Sequence, residues 1–168
     1  MAYFHASGMK IGHFSPESHK HIVYQLFLRV FSNTNPKNKL FGTIRENGCG
    51  KFDDITPKVL TALRDFGVTH IWYTGVLEHS TVSSWPEHGI EADDPRIVKG
   101  RAGSPYAVRD YYDVDPDLAN NVGARMQEFE AMIHRTHQAG LKAIIDFIPN
   151  HLARNYSSDM NPGNFADF

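Results

Sequence analysis

The sequence predicts an α/β chain that forms the N-terminal portion of a (β/α)8 TIM barrel, incomplete, with three parallel strands and two main helices. Three observations carry this. Leu63–Tyr73 (LRDFGVTHIWY) and Thr136–Asp146 (THQAGLKAIID) repeat one grammar: a helix end, a glycine, then a short apolar strand. Ala143–Ile148 is β-branched and apolar apart from Asp146, which reads as a fully buried parallel strand, and it closes in Pro149-Asn150-His151. Counting strand, helix, strand, helix, strand leaves three parallel strands joined by right-handed crossovers. A doubly wound sheet is the alternative, but no Gly-x-Gly-x-x-Gly follows the first strand, which argues against a dinucleotide site.

Residues 1–20 are polar and aperiodic, and are expected to be a mobile leader. His21–Phe31 is aliphatic and aromatic around a single charge, Arg29, and reads as the first strand. Ser32–Gly50 carries Asn-Pro, Asn-Gly and lone glycines, the marks of a long loop. Thr56 as N-cap, Pro57 at the first helical position and Gly67 as the stop bracket a helix. Ile55, Val59, Leu60, Leu63 and Phe66 share the face expected to pack on the sheet. Val68–Tyr73 is the second strand, with His70 expected to lie in the core or the barrel interior.

Leu77–Pro116 shows no convincing element and is expected to be an ordered functional loop, because Trp85, Tyr106, Tyr111 and Tyr112 disfavour disorder. Its acids Glu87, Glu91, Asp93 and Asp94 read as a solvated tip. A helix follows over about 123–138, with Met126, Phe129, Met132, Ile133 and Thr136 on one face and Gly140 as its stop. Glu128, Glu130 and Arg135 read as solvated charges, and His134 and His137 lack the carboxylate partner a metal site needs.

The chain has 168 residues, 41% of them hydrophobic, which suits one domain with its own core. A net charge of −2 gives no reason to expect nucleic acid or an anionic membrane as partner. Cys49 is the only cysteine, so neither an intrachain disulfide nor a thiolate zinc cluster can form. No run approaches a membrane span, and the N-terminus lacks the pattern of a signal peptide, so a cytoplasmic chain is expected unless a leader has been removed.

Asp146–His151 (DFIPNH) is similar to the first signature of glycoside hydrolase family 13, the α-amylase family: an Asp on the third barrel strand with Asn and His four and five residues on. Ser104–Tyr112 (SPYAVRDYY) resembles that family's Gly-Tyr-x-x-x-Asp-Tyr stretch. Tyr24–Phe31 (YQLFLRVF) and Phe66–Tyr73 (FGVTHIWY) resemble its first two strands. Four motifs in order make the resemblance specific over roughly 22–168.

The resemblance implies that Tyr106 stacks on a sugar ring and that His151 hydrogen-bonds hydroxyls of the same sugar. It implies that Asp146 orients the polar network, that Asp110 fixes the Tyr106 loop, and that Asn150 is a calcium ligand in those members that hold calcium. A sugar's apolar face and directional hydroxyls suit such residues. Residues 21–152 would then be the first three β/α units of a glycosidase barrel acting on an α-glucan, and 153–168 the start of an inserted domain. The nucleophile and acid/base of a retaining glycosidase sit on later strands in that family. An N-terminal fragment, inactive alone, is therefore expected. The rival expectation is a non-catalytic carbohydrate-binding or self-assembling partial-barrel module, since open strand edges invite pairing.

Overall fold

The computed structural model describes residues 20–161, so the leader expected over 1–20 lies outside the described residues except for Lys20, as does 162–168. The elements run β1 (Val23–Phe27), α1 (Leu28–Phe31), α2 (Ile44–Asn47), α3 (Pro57–Asp65), β2 (His70–Thr74), β3 (Leu77–His79), β4 (Val108–Val114), α4 (Arg125–Gln138) and β5 (Lys142–Ile145). β1, β2 and β5 form one parallel sheet with β2 in the centre, and β3 and β4 form a separate antiparallel ribbon.

Local chemistry sets the helix ends. The Thr56 hydroxyl accepts from the Val59 amide, Pro57 occupies the first turn, and Gly67 takes the positive φ of 103° that ends α3. α2 appears inside the expected loop because Thr43 and Glu46 form a reciprocal capping box. Residues facing the helices alternate along the strands with period two. Leu26, Ile71 and Tyr73 thus meet Leu60, Phe52, Ile55, Met132 and Leu141 in one core. Full burial of a side chain such as Leu60 stabilises by about 1.5–3 kcal/mol. Inside this core the Thr136 hydroxyl donates to the Met132 carbonyl, so the Tyr73 hydroxyl is the donor in its 2.6 Å bond to Thr136.

Four expectations need correction. The first strand ends at Phe27, because the chain turns into α1 to bring Arg29 to the ribbon side, where the Gly50 amide donates to its carbonyl. Phe66 is 84% exposed, since it lies past the last turn of α3. β5 is not fully buried: Ile144 and Ile145 are each 38% exposed, because among the described residues β2 pairs with one of its edges and no strand with the other. Finally, the long connection contains β4, which sequence periodicity hides because its buried residues include Arg109, Asp110 and Asp113.

The ribbon continues into the tail, where the Ala153 amide donates to the Val108 carbonyl and the Ser157 amide to that of Arg109. Among the described residues no helix is long and apolar enough to cross a membrane.

Candidate functional site

Asp146 stands one residue beyond β5, at the C-terminal end of the parallel sheet, where α/β barrels place their chemistry. Its Oδ1 accepts from the Trp72 indole Nε1 at 2.6 Å, while its Oδ2 is buried without a hydrogen-bond partner among the described residues. Period two puts Ile144 and Asp146 on the same face as Trp72, and β1 adds Gln25, which donates to the Thr74 hydroxyl at 2.9 Å. Val23, Gln25, Trp72, Ile144 and Asp146 line an open hollow on this face, the side of the sheet away from the helices.

A second shallow hollow adjoins it, lined by Tyr111, Phe147, Pro149, Asn150 and His151. His151 is exposed, and one ring nitrogen lies 2.9 Å from the Asn150 side-chain oxygen. The Tyr111 hydroxyl donates to the Ile148 carbonyl and its ring packs against Phe147, tying the long connection to the segment after β5.

Tyr106 is 42% exposed and lines neither hollow. Its loop is seated by Pro105, which lies against Gly75 at the end of β2. A Cβ at Gly75, whose φ is +79°, would stand 3.2 Å from Pro105 and 3.0 Å from the Phe27 ring. The expected residues thus fall into three places: Asp146, Asn150 and His151 follow β5 in sequence, Tyr106 projects from the connection after β2, and Asp110 sits on β4.

Asp110 lies elsewhere again. It is fully buried on β4 and its Oδ1 accepts from the Tyr112 amide at 2.8 Å. Around it stand Glu78, Asp113 and Asp159, each offering an oxygen within 4.8 Å of the others. Burial pushes the Glu78 carboxyl up to about 8, against Arg109, with the neighbouring acids adding to the rise. Burial likewise raises Asp110 and Asp113. Asn150 offers one amide oxygen where calcium takes six to eight, and it is not part of this group of acids.

A third cluster locks the connection to the sheet. Arg29 reaches Asp117 at 2.7 Å and Asp115 at 3.2 Å, and Asp117 also accepts from the Ser83 hydroxyl and the Trp85 indole. Burial works against the Arg29 charge, but Asp115 and Asp117 hold the guanidinium above its ordinary value. Asp93, expected at a solvated tip, is only 2% exposed and accepts from the Thr81 amide and the Asn155 side chain. Glu128 and Arg135 are also engaged: Glu128 accepts from the Asn120 and Asn121 amides, and Arg135 donates to the Phe52 and Ile55 carbonyls. Sequence reasoning missed these clusters because their members lie far apart in the chain and meet only in the fold: Glu78 faces Asp110 through the β3–β4 pairing, and Arg29 reaches Asp115 and Asp117 from α1.

A parallel sheet with helices on one face and polar side chains at the C-terminal strand ends is the arrangement of part of a (β/α)8 barrel. The family model for the α-amylase catalytic domain matches residues 25–161. A cyclomaltodextrin glucanotransferase of a Bacillus species (strain 1011) is 27% identical over 154 residues, covering 82% of this chain and 19% of the relative. Maltase 1 of Drosophila virilis is 26% identical over 152 residues, covering 88% and 18%. Among solved structures, an α-amylase from Lactobacillus plantarum superposes with a TM-score of 0.53 at 22% identity, over 80% of this chain and 24% of that one. The chain belongs to the α-amylase family, and it spans about a fifth of the length of the curated relatives it matches. Its fold is a partial barrel of the kind these enzymes close.

Proposed function

We propose that this chain forms the first three β/α units of an enzyme acting on α-glucans, and that its own residues bind sugar rather than break the glycosidic bond. Tyr106 stacks on a ring, His151 hydrogen-bonds hydroxyls, and Asp146 orients the network around them. Asp110 steadies the connection that carries Tyr106. Asn150 contributes one oxygen to calcium in the assembled enzyme. The observation that carries the reading is the hydrogen bond from Trp72 to Asp146 at the sheet's C-terminal end, beside the exposed His151. Family membership supplies the substrate class.

Retaining hydrolysis needs two carboxyl groups flanking the bond, so the 168-residue chain by itself hydrolyses no α-glucan. The test is native gel electrophoresis through soluble starch, with a parallel assay for sugar released from maltoheptaose. Retardation of the wild-type chain, weakened in Y106A and H151A, without release of sugar, is the expected result. Release of sugar by the purified chain, or retardation unchanged in both variants, would overturn it.

A second reading rests on the open edges of β1 and β5, where Val23, Ile144 and Ile145 are exposed. Edges of this kind pair with other strands, so the chain self-associates through its sheet. Light scattering on the eluting peak would show a mass above 19.0 kDa.

A further inference from the structure

The antiparallel ribbon contains an arrangement that the sugar-binding reading leaves unused. β3 and β4 pair so that Glu78 stands directly opposite Asp110, two acids in a position where like charges destabilise a sheet. Both are buried, at 3% and 0% exposure, and each keeps one buried oxygen, Oε2 of Glu78 and Oδ2 of Asp110, without a hydrogen-bond partner among the described residues. Such orphaned oxygens are costly unless something else satisfies them. Asp113 from the same strand and Asp159 from the tail bring two more carboxylates, and one oxygen of each of the four lies within 4.8 Å of the rest.

The nearby cations do not cancel this charge. Arg125 pairs with Asp113 and Asp159. Arg109 spends its hydrogen bonds on the Glu91 carbonyl and the Ser157 hydroxyl, and it only approaches Glu78, at 3.6 Å, while sharing its charge with Asp93 at 3.7 Å. Four carboxylates therefore face two guanidinium groups, one of them shared with a fifth acid. A small cavity of about 140 Å³ opens on the group, lined by Glu78, Arg109, Ser157, Ser158 and Asp159.

We propose that Glu78, Asp110, Asp113 and Asp159 form a calcium site that fastens the β3–β4 ribbon to the tail segment around Asp159. The donor set is all oxygen, which selects a hard cation. Ligand oxygens in a calcium sphere are at most about 5 Å apart, since each sits about 2.3–2.6 Å from the ion, so four oxygens this close can touch one ion. Water entering through the cavity completes the six to eight ligands calcium takes. The site shares no residue with Asn150 and does not depend on the chain binding sugar.

The experiment uses the full 168-residue chain stripped with chelator. Isothermal titration with calcium is expected to give one bound ion per chain. Thermal unfolding is expected to move up by about 5 °C at a hundredfold excess over Kd, with a smaller shift for magnesium. E78Q replaces a carboxyl that burial already keeps largely neutral in the metal-free chain: it should leave the melting temperature of that form at or above wild type while losing most of the calcium shift. D159N, at the open side of the group, should cost the metal-free chain little, because Asp113 still pairs with Arg125, and should weaken calcium at least about tenfold. The proposal is overturned if calcium up to about 10 mM neither binds nor shifts unfolding of the wild-type chain. It is equally overturned if magnesium matches calcium, or if both variants keep the wild-type calcium shift.

Discussion

Removing the Asp117 carboxylate should be among the most damaging single changes in this chain. Asp117 is fully buried and accepts three hydrogen bonds: from Arg29 at 2.7 Å, the Ser83 hydroxyl at 2.9 Å and the Trp85 indole at 3.2 Å. Asp117→Ala leaves all three donors without that acceptor. Breaking a buried charge pair costs about 3–5 kcal/mol, and Asp115, still 3.2 Å from Arg29, keeps the Arg29 share near the low end. Orphaning Ser83 and Trp85 adds about 1–3 kcal/mol, and the two are not additive because they share one acceptor. The expected loss is about 3–5 kcal/mol, a large part of the total stability of a small domain. Asp117→Asn keeps an acceptor oxygen for Ser83 or Trp85 and should lose about half as much. Urea unfolding followed by tryptophan fluorescence and far-ultraviolet circular dichroism measures both. In the same assay, R29M combined with D117A should cost less than the sum of the single changes by about 1–3 kcal/mol. A D117A variant within about 1 kcal/mol of wild type at an unchanged urea slope would refute the reasoning, because the network would then hold nothing.

Two further outcomes follow from the core and from Cys49. Tyr73→Phe should cost about 0.5–1.5 kcal/mol, because it removes a buried hydroxyl that donates to Thr136 while the ring's packing is kept; a stability gain in the urea midpoint would contradict that donor assignment. Burial pushes the Cys49 thiol from 9.0 up to about 11, so at pH 8 the thiolate fraction falls about 100-fold and labelling by a disulfide reagent should slow by about that factor until urea is added. The folded chain holds this proton longer than the unfolded one, so stability should fall as pH rises from about 9 to about 11. Rapid labelling of the native chain would count against the half-buried placement of Cys49.

What the sequence disclosed divides along a physical line. α3 and the strands it joins were legible because their signals are local: a hydroxyl cap at Thr56, a proline at position 57, a glycine at position 67, and apolar spacing that needs no knowledge of distant partners. β4 was not legible. Alternation of apolar and polar residues reports a strand with one dry face, whereas Arg109, Asp110, Asp113 and Asp115 are buried among charges supplied by Glu78, Arg125 and Arg29, from 12 to 86 residues away. The exposure of β5 was misread for the opposite reason. Its apolar content fits a covered strand, but cover comes from neighbours, and among the described residues only β2 pairs with it. The same limit applies at the site. DFIPNH marks Asp146, Asn150 and His151 because they are adjacent in sequence, and the four acids around Asp110 carry no such mark, since only the opposition of Glu78 and Asp110 across the ribbon gathers them. An excess of buried acid has to be balanced by a proton or a cation, and the comparison of E78Q with wild type separates the two: a neutral amide substitutes for the protonated carboxyl but brings no negative charge to hold the ion.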